Sequence, residues 1–186
     1  HGPSAYARTE GWGVVLKLLA SLALIGSSSA AGFLIAGSFA ARPEQIRSFQ
    51  AALEMLETEI GYTRTPLVEA LERVGGIVGA PAGPTLRRAA ELLRENPGRE
   101  PGDAWREAVA LVYPETDLSP TDRQVLEQMS PYLGASDRDD QLRHLRVTMT
   151  WLKQLEEEAR REAQRNQRMW QYLGVLTGTA IVLILL

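Results

Sequence analysis

Charged and apolar positions are segregated along this chain. Residues 18–41 contain no Asp, Glu, Lys or Arg, and neither do residues 170–186. A helix rises about 1.5 Å per residue, so the first run is longer than the roughly 30 Å hydrocarbon core of a bilayer. The second has seventeen residues; it reaches roughly 26 Å and needs its polar flanks at the interface. The pattern predicts a transmembrane helix over 14–41, a helical domain over 42–168 and a second transmembrane helix over 169–186. Residues 1–13 have no periodicity and are expected to be a non-native or disordered extension.

Between the runs the apolar period is helical, and proline, glycine and capping residues punctuate it. Pro43 suits a first turn, and Ile46, Phe49, Leu53, Leu56 and Ile60 form one stripe, with Gly61 placed to stop the helix. Thr65-Pro66 opens a second helix with Leu67, Ala70, Leu71 and Val74 inward, and 75–83 reads as a loop. Pro84 begins a third helix with Leu86, Ala89, Ala90 and Leu93 buried. Residues 96–102 carry two prolines and two glycines and break it.

Asp103 is expected to cap a fourth helix holding Trp105, Ala108, Val109 and Val112. Ser119-Pro120-Thr121-Asp122 reads as close to a capping box for a fifth, with Val125, Leu126 and Met129 on its core face. Pro131 and Gly134 end it. Ser136 opens the last helix, whose first turn carries Asp137, Asp139 and Asp140 near the positive end of the helix dipole. Nothing interrupts that helix before the second apolar run. The fold class is therefore all-α: a six-helix antiparallel bundle flanked by two transmembrane helices. An even number of antiparallel helices also returns the chain to the membrane it left.

Composition removes most chemistry. There is no cysteine and only two histidines, so thiolate zinc sites and Glu-x-x-His di-metal sites are excluded. The acidic residues Glu54, Glu57 and Glu59 read as a solvated face. His144 reads as a surface or partly packed helical residue. No G-x-S-x-G and no phosphate-binding loop is present, and the net charge of −3 does not suit nucleic acid. The expectation is a non-enzyme without a cofactor.

Basic residues cluster at both edges of the domain. Arg42 and Arg47 follow the first run, and Arg160, Arg161, Arg165 and Arg168 precede the second. Read by the positive-inside bias, they put the domain in the cytoplasm, with these arginines facing membrane lipid. Lys17 and the small residues 27–31 also resemble a secretory signal, but the apolar run continues to Phe39, longer than an ordinary signal core. Trp170 and Tyr172 suit an interfacial anchor. Ser28, Gly32, Ala36 and Ala40 in the first run, and Gly174 and Gly178 in the second, suit close helix packing in lipid, within one chain or in a homo-oligomer. Alternating helices place the loops 61–65, 96–102 and 133–136 far from the membrane. Tyr62, Arg64, Arg99, Glu100, Asp137 and Arg138 there are candidate partner-binding residues. A membrane-anchored signal-transducing or adaptor protein, with the last helix as relay, is the alternative reading.

The residues also carry a family resemblance. The run Ala52-Leu53-Glu54-Met55-Leu56-Glu57-Thr58-Glu59-Ile60 is followed by Tyr62 and by 65–71. Further on come Asp103-Ala104-Trp105, then Leu133-Gly134-Ala135-Ser136-Asp137-Arg138-Asp139-Asp140-Gln141 with His144-Leu145. The last is Asn166-Gln167-Arg168-Met169-Trp170-Gln171-Tyr172-Leu173-Gly174. Together these resemble the stage III sporulation protein AB family, from about Val15 to the end. Asp139 and Gln167 stand where the family pattern has Glu. The resemblance implies a soluble domain like the F domain of type II secretion and type IV pilus platform proteins, a six-helix bundle. It implies a place in the mother-cell membrane around the engulfed forespore, within a channel complex needed for endospore formation. The implied partners are the stage III sporulation protein AA ATPase and the other stage III A proteins.

Overall fold

The computed structural model describes residues 41–134 and 137–185. Among them six α-helices occur in the order α1 (Ala41–Thr58), α2 (Leu67–Ile77), α3 (Ala82–Glu95), α4 (Pro101–Val112), α5 (Pro120–Glu127) and α6 (Arg138–Leu185), with no strand. Ala41–Arg161 forms one compact unit, and α6 from Glu162 onward belongs to a second.

The apolar stripes, including that of the last helix at Leu145 and Leu152, form the core. Ile46, Phe49, Leu53 and Leu56 of α1, Leu71 and Val74 of α2, Leu86 of α3, Trp105 of α4, Leu126 of α5 and Leu145 and Leu152 of α6 are all buried. Helices α1 and α6 are antiparallel: Arg47 pairs with Glu156 at 2.9 Å, Arg146 with Glu57 at 2.5 Å, and Arg138 donates to Ile60 O at 2.8 Å. Partner numbers fall as α1 ascends. Helices α2 and α3 are antiparallel by the same test, since Arg94 pairs with Glu72 and Arg87 donates to Gly75 O.

Two ends of the bundle are thereby defined. At the near end α1 begins, and Arg42 and Gln45 reach Asp122 and Asp117 around the start of α5. At the far end three loops converge. Gly134 has φ +72°, and a Cβ there would lie 2.5 Å from Pro101 Cγ and 3.3 Å from Leu67 Cδ2. Only glycine suits both the left-handed backbone and that gap.

Several boundaries differ from the sequence reading. Gly61 does not stop α1. The helix passes into a π-turn, Glu59–Thr63, and the left-handed residue is Arg64, at φ 56°. Two loosened carbonyls are satisfied from outside, where Arg138 donates to Ile60 O and Gly61 O, and Glu59 O accepts from Thr63 Oγ1 within the turn. Residues 75–83 are not one loop either. Gly75 and Gly83 are helical and buried where α2 meets α3, and a Cβ at Gly75 would fall 2.9 Å from Arg87 Cγ. They are glycines for close approach rather than for turning. Pro101 rather than Asp103 starts α4, which puts Asp103 in the first turn. Leu92, not Leu93, takes the buried position at the end of α3, and Val112 and Val125 are only half-buried. Helix α5 stops at Glu127, before Pro131, and its capping box of Ser119 and Asp122 is formed as read.

The last helix is continuous from Arg138 to Leu185, as its uninterrupted sequence required. Among the described residues, however, no helix is long and apolar enough to cross a membrane. The expected second transmembrane helix over 169–186 is thus not found. Its described part, 170–185, is about 24 Å at 1.5 Å per residue and is diluted by Gln171, Thr177 and Thr179. The first expected span, through residue 40, lies outside the described residues, as do residues 1–13 and the expected cap Ser136.

Candidate interaction surface

The far end gathers most of the residues singled out for partner binding. Tyr62 sits on the π-turn with 86% of its surface exposed. The turn that carries it is rigid. Arg138 clamps two of its carbonyls, so that arginine is a positioning residue rather than a free contact. Glu59 accepts from Thr65 Oγ1 at 2.7 Å, Thr63 Oγ1 at 3.1 Å and Arg73 Nη1 at 3.1 Å. The Thr65 hydroxyl first, then Thr63 and Arg73, hold its carboxyl below the ordinary 4.5. A carboxylate whose folded pKa is depressed stabilises above its unfolded value and loses that contribution as pH falls through the folded one. The protection factors of the amides across 59–65, corrected for the intrinsic pH dependence of exchange, are therefore expected to fall on acidification through the carboxylate range. Glu59→Gln should remove that dependence; an equally steep response in the Gln variant would show that another group controls the turn.

Arg64 follows in the left-handed region and is exposed. Arg99 is engaged by Glu107, whereas Glu100 is exposed. Glu100, Pro101, Asp103 and Arg106 face Ser130, Pro131 and Leu133 across a shallow cavity of about 190 Å³. The sequence reading missed this recess. Its signal is Gly102, where a Cβ would collide with Ser130 O. Asp137 accepts from the Arg138 N–H at 2.8 Å and is exposed. His144 is half-buried and stacks on Tyr132 with their planes 9° apart. Among the described residues no three His, Asp or Glu side chains are grouped to hold a metal ion.

The arginines read as membrane-facing are not equivalent. Arg42 chelates the buried Asp122 with Nε at 2.8 Å and Nη2 at 3.0 Å. Arg47 and Arg160 both pair with the buried Glu156 at 2.9 Å. Arg161 stands 3.9 Å from Glu157 and is exposed, as are Arg165, Arg168 and Tyr172. A Cβ at Gly174 would meet nothing within 4 Å among the described residues. The side chain of Trp170 and the packing of Gly178, and all of Ser28, Gly32, Ala36 and Ala40, lie outside what is described.

The model of the stage III sporulation protein AB family matches residues 17–186. The chain belongs to the stage III sporulation protein AB family. Stage III sporulation protein AB of Bacillus subtilis (strain 168) is 31% identical over 172 residues, 92% of this chain and 100% of that one. A solved structure of stage III sporulation protein AB is similar with a TM-score of 0.63 at 30% identity, covering 67% of this chain and 98% of its own. Membership supports a role in sporulation alongside other stage III proteins, and the family is a sporulation family rather than a known enzyme family.

Proposed function

We propose that the protein is a non-enzymatic platform of the mother cell–forespore channel. Its apolar runs hold it at the mother-cell membrane, and its helical domain lies in the cytoplasm. The far end docks an ATPase of the stage III sporulation protein AA kind. The observation that carries this reading is the convergence of the three loops at one end. Residue 41 and the outgoing part of α6 leave the bundle at the other. Action is then positional: a stiff bundle presents Tyr62, Arg64, Glu100 and Asp137 at a set height above the bilayer. An exposed aromatic on a clamped turn, ringed by charge, is the kind of residue that dominates protein interfaces.

The test is binding of the purified ATPase to full-length protein in lipid nanodiscs. Combined Arg64→Glu, Glu100→Lys and Asp137→Lys is expected to weaken it about tenfold or more, equivalent to about 1.4 kcal/mol. All three side chains are exposed, so the helical content should not change. Binding that survives the triple change would sink the geometry.

A further inference from the structure

Between Arg42 and Arg168 the longest stretch without a charged residue is 74–86, thirteen residues, and 108–114 adds seven. The fold sets these stretches side by side: Thr85 lines one small cavity with Val109, Val112 and Tyr113. Both turn at the near end, where α2 passes into α3 and where α4 finishes. Most of their apolar character is explained by the core, which takes Val74, Ala82, Leu86, Ala108 and Val109, with Val78 and Tyr113 packed against it. Two large side chains are not. Ile77 is 64% exposed and Leu111 53% exposed, and Gly79, Ala80, Ala110 and Pro114 around them are exposed too. The far end carries exposed charge at Arg64, Glu100 and Asp137, and at Asp103 and Arg106 in the first turns of α4, beside its own uncharged stretch 128–136.

An exposed isoleucine and leucine in uncharged stretches, bordered by exposed Arg73, Glu115 and Asp117, suit a surface that is not water. What meets them is indicated by the chain. Residue 41 opens α1 at this end, and the uncharged run 18–40 stops there. Arg47–Glu156 ties the same level of α1 to the point from which α6 continues outward. We infer that the loops 76–81 and 110–114 form a lipid-contacting foot, in which Ile77 and Leu111 enter the interfacial zone of the bilayer. This rests on the membrane reading proposed above. The contact is apolar, so it is insensitive to salt, unlike any arginine–headgroup attraction. Its consequence is orientation: a bundle seated on its near end cannot tilt, and its far-end loops face straight away from the lipid.

The absence of cysteine makes the test direct. The full chain is reconstituted in vesicles of phosphatidylethanolamine and phosphatidylglycerol. A single cysteine bearing an environment-sensitive fluorophore is placed by Ile77→Cys, Leu111→Cys, Gly98→Cys or Leu176→Cys, and nitroxide-labelled lipids are added. The expected result is loss of more than half the emission at positions 77, 111 and 176, unchanged at high salt, with no loss at position 98. Quenching at 176 but not at 77 or 111 would overturn the foot and leave the membrane reading standing. No quenching at 176 either would remove the membrane reading itself. Quenching at 98 equal to that at 77 would overturn the orientation. Cross-linking between two copies at position 77, without quenching, would give the patch to a second copy of the chain and overturn the inference.

Discussion

Trp105→Ala is expected to lower the stability of the bundle by about 3–5 kcal/mol, the usual cost of emptying a buried tryptophan site. Trp105 is 1% exposed, and its indole Nε1 donates to Leu126 O at 2.7 Å. That carbonyl lies in the last turn of α5, an eight-residue helix whose end has few internal donors. One side chain thus fills the core and caps a neighbouring helix. Trp105→Phe separates the two roles. It keeps most of the volume and leaves the carbonyl without its donor, a loss of about 1–3 kcal/mol. Chemical denaturation of the full chain followed by circular dichroism checks both. An alanine variant that loses less than the phenylalanine variant would refute the assignment.

Asp122→Ala is expected to cost about 3–5 kcal/mol, because it removes the fully buried carboxylate that both pairs with Arg42 and closes the capping box. Asp122 is fully buried, accepts two bonds from Arg42 and accepts from the Ser119 N–H at 2.7 Å. The pair joins the first turn of α1 to the first turn of α5, 80 residues on. Arg42→Met should cost at least as much, since it takes both arginine bonds from a carboxylate that is fully buried. The double change Arg42→Met with Asp122→Leu should recover part of the loss, because no lone charge remains. The same variants decide what Arg42 is for. A residue that binds lipid would, on replacement, weaken vesicle association and leave unfolding alone. The geometry predicts the reverse, and additive single and double changes would remove the coupling.

Arg42 shows where reading the chain stops. Its position beside an apolar run makes it look like a membrane-facing cation, and nothing within reach in the sequence points to Asp122. Arg138 is a similar case. In the sequence it is one charge among several at a helix start, but folded it completes the π-turn that holds out Tyr62. Gly61 misled for a related reason: a glycine after an apolar stripe normally ends a helix, and only Arg138, from the opposite end of the domain, lets this one continue. By contrast the capping box at Ser119 was legible, because its partners are three residues apart.

The sequence by itself determined what depends on neighbours within a few residues. It determined the helical class and most of the core stripes of the helices. It also determined the Ser119 cap and the unbroken course of α6, because helical period and capping act over one turn. Tertiary structure decided everything that joins distant residues. It set the convergence of the far-end loops on Gly134, the use of Gly75 and Gly83 for helix contact, and the withdrawal of Arg42 and Arg47 into pairs. It also left Ile77 and Leu111 exposed at the near end. Those features follow from which helix faces meet, and the period of a single helix says which face is apolar without saying what will cover it.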